Sequence, residues 1–191
     1  FYRKAFPDGN NTYAVSDYYI NNKIQMTGRY KNVKMKEKQG HFVYYEENGQ
    51  KLSEGDYLND KVEGLWSFWF DNGAKKSEGN FVKDRKDGEW SYWNNYGQLT
   101  SKEYYRNGEI YLIEGYHENG TLSFKGEYNA SGLLVTGIYW NSDGREYFRG
   151  RYKYGLRDGE WIRSFGESEL KVNYKNGECT GNPFGGMVRK Q

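Results

Sequence analysis

Aliphatic residues are scarce in this chain. Its 191 residues include only 24 Val, Ile and Leu, and adding Phe brings the total to 34, about 18%. So thin a supply excludes a thick two-layer core, and with a high net charge it would point to disorder. The net charge is only +2, however, from 28 Lys and Arg against 26 Asp and Glu. That near balance removes any strong pull toward nucleic acid or an anionic membrane, and no nucleic-acid partner is expected. Cysteine occurs once, as Cys179, so no intrachain disulfide can form and the redox compartment stays open. No run approaches the roughly 18 apolar residues of a membrane helix, so no membrane insertion is expected, and no signal-peptide core is visible.

In place of aliphatics the chain carries rings and glycine. Ten Phe, six Trp and 20 Tyr stand beside 25 Gly, at a mean hydropathy of −1.09. These are too many aromatics for a solvated coil. Together with the missing aliphatics they suggest thin β-structure.

A repeat organises them. Turn-like segments ending in glycine recur at Gly49, Gly73, Gly97, Gly120, Gly144 and Gly166, with spacings of 24, 24, 23, 24 and 22 residues. A second turn is expected inside each unit, at Gln39-Gly40, Glu63-Gly64, Asp87-Gly88 and Asp158-Gly159. Two turns in about 24 residues leave runs of about six, strand-length and too short for helices, so each unit is predicted to be a β-hairpin.

The strands carry Gly-x-aromatic steps. The first strand has Gly28-Arg29-Tyr30, Gly55-Asp56-Tyr57, Gly79-Asn80-Phe81, Gly126-Glu127-Tyr128 and Gly150-Arg151-Tyr152. The second has Gly40-His41-Phe42, Gly64-Leu65-Trp66, Gly88-Glu89-Trp90 and Gly159-Glu160-Trp161. Residues two apart share a face, so a ring from a neighbouring strand can lie over bare glycine backbone and pin the register. A further column, Tyr45, Trp69, Trp93, Tyr116 and Trp140, lies three residues beyond the second-strand ring position and is predicted to face the other side.

The pattern Glu-Gly-x-Tyr/Phe, Lys-Asp-Gly-Glu-Trp, Tyr-x-x-Asn-Gly resembles the MORN-repeat variant of bacterial proteins, including those called YwqK-type antitoxins. Residues 50–73 and 74–97 match best, 145–166 nearly as well. Units 98–120 and 121–144 depart from it, with Glu103 at a first-strand glycine position and Tyr111 and Val135 at second-strand ones. Asp17–Gly28 also resembles repeat regions that precede TonB-type domains in Bacteroidetes-like envelope proteins. The resemblance spans residues 23–177 and implies a fold; it implies a binding or spacing role and carries no shared catalytic motif.

The expected architecture is all-β: an elongated, mostly single-layer antiparallel sheet of tandem hairpins. Some six to seven hairpins, stacked at ~4.8 Å per strand, would run about 65 Å before twist. We read 1–191 as one repeat domain, with 1–22 as an N-terminal cap, 23–177 as repeats, and 178–191, including Asn182-Pro183 and Gly185-Gly186, as a tail. The chain opens on Phe1 and so reads as a processed product or fragment. With the envelope resemblance this leans toward a bacterial envelope location, possible membership of a larger complex there, and the cytoplasm as the alternative.

Catalytic chemistry is hard to find. His41 and His117 stand 76 residues apart without metal-spaced partners, so no metal site and no cofactor are expected. Glu103, Glu109 and Glu114 are the carboxylates that a glycosidase-like pair would draw on, but no supporting constellation accompanies them. Glu63, Asp87 and Asp158 precede glycines and read as turn residues. Basic clusters at Lys31, Lys34, Lys36 and Lys38, at Lys83, Arg85 and Lys86, and at Arg189-Lys190 are interleaved with acids. The Asn-x-Ser/Thr sequons at Asn10, Asn119 and Asn129 are within chance for so Asn-rich a chain.

The expected function is therefore non-enzymatic: a repeat scaffold docking a protein partner through the column Tyr45, Trp69, Trp93, Tyr116 and Trp140. The alternatives are an antitoxin or immunity protein, implied by the resemblance alone, and a carbohydrate or cell-wall binder stacking sugars on the tryptophans. If caps or curvature cover the column, it is core instead.

Overall fold

The computed structural model describes residues 1–9, 11–32, 34, 36–181 and 187–189. Asn10, and Asn182-Pro183, Gly185-Gly186 and Lys190 of the expected tail, lie outside these residues. The fold is all-β and antiparallel, built of successive hairpins. The chain forms two compact units, Phe1–Gln98 and Leu99–Gln191.

The first unit runs β1 (Tyr2–Pro7), β2 (Thr12–Tyr18), β3 (Ile24–Lys31), β4 (Glu37–Lys38), β5 (Gly40–Tyr45), β6 (Lys51–Leu58), β7 (Lys61–Trp69), β8 (Lys75–Val82) and β9 (Arg85–Trp93). Each strand pairs with the next except β4 and β5, which both pair with β3. The second unit holds β10 (Leu99–Arg106), β11 (Glu109–Tyr116), β12 (Leu122–Tyr128), β13 (Leu134–Trp140), β14 (Glu146–Lys153), β15 (Leu156–Phe165) and β16 (Ser168–Lys175), with β17 (Glu178–Cys179) and β18 (Met187–Arg189) both on β16. Residues 1–22 contain β1 and β2. The turn from β2 into β3 repeats the bonding of the later loops, Tyr19 N to Lys23 O and Asn22 N to Tyr19 O, with Asn22 at φ 67° where the later loops have glycine.

Two turn chemistries recur, alternating through the first unit, whereas in the second unit three successive loops, at Gly120, Gly132 and Gly144, share the first kind. The loops at Gly49, Gly73, Gly97, Gly120 and Gly144 fall where the repeat places them. In the first, Glu46 N donates to Gln50 O and Gly49 N to Glu46 O, both at 2.8 Å. Asn48 Oδ1 accepts Gln50 N, and Asn72 and Asn119 do the same one and three units on. Asn72 Nδ2 also reaches Asn95 O at 2.8 Å, and Asn119 Nδ2 reaches Ser142 O at 2.7 Å, so one loop is tied to the next.

The second turns are not at the expected glycines. They are two-residue turns at Asn59-Asp60, Lys83-Asp84, Asn107-Gly108, Tyr154-Gly155 and Asn176-Gly177, where both central residues have positive φ, the type I′ geometry that matches strand twist. Gly64, Gly88 and Gly159 instead lie inside β7, β9 and β15, at φ 69–72°, and Gly40 opens β5 beside the join with β4. They form bulges: Glu54 pairs with Ser67 and Asp56 with Glu63, so Gly64, Leu65 and Trp66 together face Gly55. A residue pair such as Asp-Gly supports a turn and a bulge equally, because both need only positive φ. The strands are consequently eight or nine residues long in the best repeats, rather than about six. Where Tyr111 and Val135 replace glycine the bulge survives in a narrower form, with a single extra residue.

Side chains before these glycines and within the turns tie neighbouring hairpins together. Glu63 Oε2 accepts Lys83 N at 2.9 Å, Gln39 Oε1 accepts Asn59 N, and Asp84 Oδ1 accepts Val62 N at 2.7 Å.

The wide bulge builds the core. It swings the second-strand ring over first-strand glycine, as the Gly-x-aromatic steps predict. Phe42 covers Gly28, Trp66 Gly55, Trp90 Gly79 and Trp161 Gly150, so closely that a Cβ on any of these glycines would lie 2.2–2.3 Å from ring carbon. Each indole N–H donates to the carbonyl of the residue after its glycine: Trp66 to Asp56, Trp90 to Asn80 and Trp161 to Arg151, at 3.0–3.1 Å. Trp90 and Trp161 are 1% and 0% exposed although, among the described residues, no helix covers them.

Candidate functional site

The face that carries these rings is a band three rings wide. In the first unit the middle row is Phe42, Trp66 and Trp90. Tyr57 and Phe81 stand edge-on to it on one side, with Tyr57–Trp66 centroids 5.3 Å apart at 89° and Phe81–Trp90 4.9 Å apart at 81°. Tyr44, Phe68 and Tyr92, two residues beyond the middle row on the same strands, flank it on the other side. This third row escaped the sequence reading, although its signal, an aromatic two residues after the second-strand ring, stands after Phe42, Trp66 and Trp90.

Cations lie on this band. Lys38 Nζ sits 4.4 Å from the Tyr57 ring centroid and bonds Tyr44 Oη at 2.9 Å, while Lys86 Nζ sits 4.4 Å from that of Trp90. Burial, then the bonding to Tyr44, pushes the Tyr57 hydroxyl up to about 12, and burial likewise raises Tyr44. In the second unit Arg157 takes the equivalent place, its Cζ 4.8, 5.1 and 5.4 Å from the ring centroids of Phe148, Trp161 and Tyr174. Burial and the hydroxyl of Tyr152 raise Tyr139 further still.

The predicted column is on the other face. Lys51 Nζ lies 4.8 Å from the Trp69 ring centroid and bonds Glu54 at 2.6 Å, and Glu54 adjoins Gly55 and so points away from Trp66. One repeat on, Lys75 lies 5.9 Å from Trp93 and bonds Glu78 at 2.5 Å. Glu78 also accepts Ser67 Oγ, and the Lys75 bond, against some burial, holds its carboxyl below the usual range. Tyr45, Trp69, Trp93, Tyr116 and Trp140 are all half-buried, the first three in one unit and the last two in the other. They are neither open stripe nor core: Lys51 and Lys75 cover part of the Trp69 and Trp93 rings. Side chains also tie the backbone at two of these residues, Tyr19 Oη to Tyr45 O in the first unit and His117 Nε2 against Trp140 O in the second, both 2.8 Å.

The remaining candidates do not converge. Glu103 pairs with Ile113 across β10 and β11, so Glu103 and Glu114 point to opposite faces. Burial raises the Glu114 carboxyl, but bonds from Lys125, Tyr116 and Tyr104 outweigh it and hold the group ionised. Glu109 is exposed at the start of β11. His41 is exposed beside Asp56 and Glu54, at 3.3 and 3.7 Å. Among the described residues no three His, Cys, Asp or Glu side chains gather as metal ligands, and no helix is long and apolar enough to cross a membrane.

No family model matches the chain, and no curated protein matches it. Among solved structures, the chain is similar to the pneumococcal O-GlcNAc transferase GtfA in complex with UDP and GlcNAc at 22% identity and a TM-score of 0.35, over 50% of this chain and 19% of that one. A variant of S. aureus TarM in complex with Fondaparinux, alpha-GlcNAc-glycerol and UDP gives 8% identity and a TM-score of 0.28, over 76% of this chain and 21% of that one. The chain spans about a fifth of the length of these proteins. At such scores the likeness bears on neither mechanism nor function.

Proposed function

We propose that the chain is a non-enzymatic repeat module that docks a protein partner through its sheet surface, with Trp69 and Trp93 as anchors. One observation carries this reading. In the first unit no second layer covers the face opposite the ring band, among the described residues, yet that face carries large half-buried indoles where charged residues alone would keep it soluble. The lysines above them are movable covers, since Lys51 and Lys75 hold the rings through long flexible chains and can shift to surface carboxylates. The resemblance of the repeats to MORN-type modules accords with a binding role.

The test is a Trp69→Ser, Trp93→Ser double variant used as bait beside the unaltered chain. Because the buried indoles are Trp66 and Trp90, the variant is expected to keep its β-sheet circular dichroism and cooperative unfolding while losing the partner. Retained capture, or collapse of the fold, overturns the proposal.

A further inference from the structure

Some arginines are paired: Arg3 forks onto Asp17 at 2.6 and 2.7 Å, Arg29 meets Asp8 at 3.1 Å, and Arg149 bonds Glu146 and Glu169. Arg85, Arg106 and Arg151 make no salt bridge among the described residues, and neither do Arg157 and Arg163. Arg157 and Arg163 both line one concavity of about 380 Å³ in the second unit. Its walls are apolar and aromatic, with Tyr139, Phe148, Leu170 and Tyr174 among them, and no Asp or Glu among the described residues lines it. The cross-strand row Phe148, Arg163, Leu170 forms the floor, and Arg157 leans in from β15 over three rings.

We propose that this concavity is a binding site for a small aromatic carboxylate. The reasoning is chemical. A guanidinium held by ring contacts alone keeps its N–H groups available to grip a carboxylate by two parallel bonds. Two such cations without a carboxylate of their own leave that demand to a ligand, and the volume and lining suit a flat body of one or two fused rings. The band of the first unit lacks this arrangement, since its equivalent cations are lysines, and Lys38 is engaged by tyrosine hydroxyls. The site is independent of the partner-docking column, because none of Tyr45, Trp69, Trp93, Tyr116 or Trp140 lines it.

Cys179 supplies a local reporter. It lines the same concavity, is exposed, and is the chain's single cysteine, so its reaction with the neutral reagent 4,4′-dithiodipyridine reads this place alone. Naphthalene-2-acetate is expected to slow that reaction saturably in the full chain. Its neutral amide should protect with roughly tenfold weaker affinity, the loss of a charge-assisted contact. Arg163→Gln, at an exposed position, should weaken the acid by a similar factor and leave the amide unchanged. Arg157→Gln should do the same, with circular dichroism to confirm its fold. Equal protection by acid and amide, an unaltered acid affinity in Arg163→Gln, or no protection at millimolar acid overturns the proposal. Inorganic phosphate run in parallel should not protect; protection by phosphate alone would mark a general anion site and also overturn it.

Discussion

At the scale of single residues, this protein is held by glycines that must remain glycines. Gly79 has no unusual φ; what excludes a side chain there is the Trp90 ring, 2.3 Å from where a Cβ would stand. Gly79→Ala is therefore expected to destabilise by about 1–3 kcal/mol through forced overpacking, read as a lower urea midpoint. A smaller effect than at Gly97, where open space surrounds the α-carbon and only φ is strained, would contradict the role assigned to the ring. The buried hydroxyls make a second prediction. Tyr57 is raised from 10.0 to about 12, so the folded state favours its protonated form. Its contribution is complete below pH 10 and is lost as pH climbs through 12. Urea midpoints across pH 9 to 12 should fall less steeply in Tyr57→Phe than in the parent; equal slopes would refute the assignment.

Elements repeat because each turn is supported by the next. Tyr154 occupies the first central position of a type I′ turn at φ 52° and is 77% exposed. Asparagine tolerates that conformation better, and Asn-Gly is the preferred pair there, so Tyr154→Asn should stabilise by roughly 0.5–1 kcal/mol, seen as a raised melting temperature. Glu63→Ala removes the acceptor for Lys83 N and should cost about 0.5–1 kcal/mol, mainly by loosening the β8–β9 turn. Amide exchange would register this at Lys83 before any change at the Asn72 loop. The element scale also shows where sequence reading stopped short. The Asn-Gly loops were legible because side chain, glycine and period coincide. The Asp-Gly sites were misplaced because a bulge glycine and a turn glycine have the same local requirement. Lys83-Asp84 and Tyr154-Gly155 give a weak turn signal, since a lysine or tyrosine at positive φ is tolerated only when the paired strands impose it.

For the whole molecule, the pairing pattern predicts how it unfolds. Apart from β4 and β5, which share β3, the strands of the first unit bond to their neighbours in sequence, so stability accumulates repeat by repeat. A fragment ending at Gln98 is expected to fold alone, with a single cooperative urea transition; a fragment without β-sheet circular dichroism would rule this out. The near-neutral charge balance is spatially resolved as well, for lysines and glutamates alternate on the face opposite the ring band, as in Lys51–Glu54 and Lys75–Glu78. That face is kept soluble by paired charge while still carrying indoles.

Scarce aliphatics and abundant rings by themselves determined the class of fold, the 24-residue hairpin period and the contact of ring over glycine, because those depend on local spacing and on a missing side chain. Which glycines turn and which bulge, and which arginines remain without a carboxylate, were decided only by tertiary structure. Both depend on the neighbouring strand: a bulge exists only relative to the register it breaks, and an arginine is unpaired only with respect to side chains brought to it from other strands.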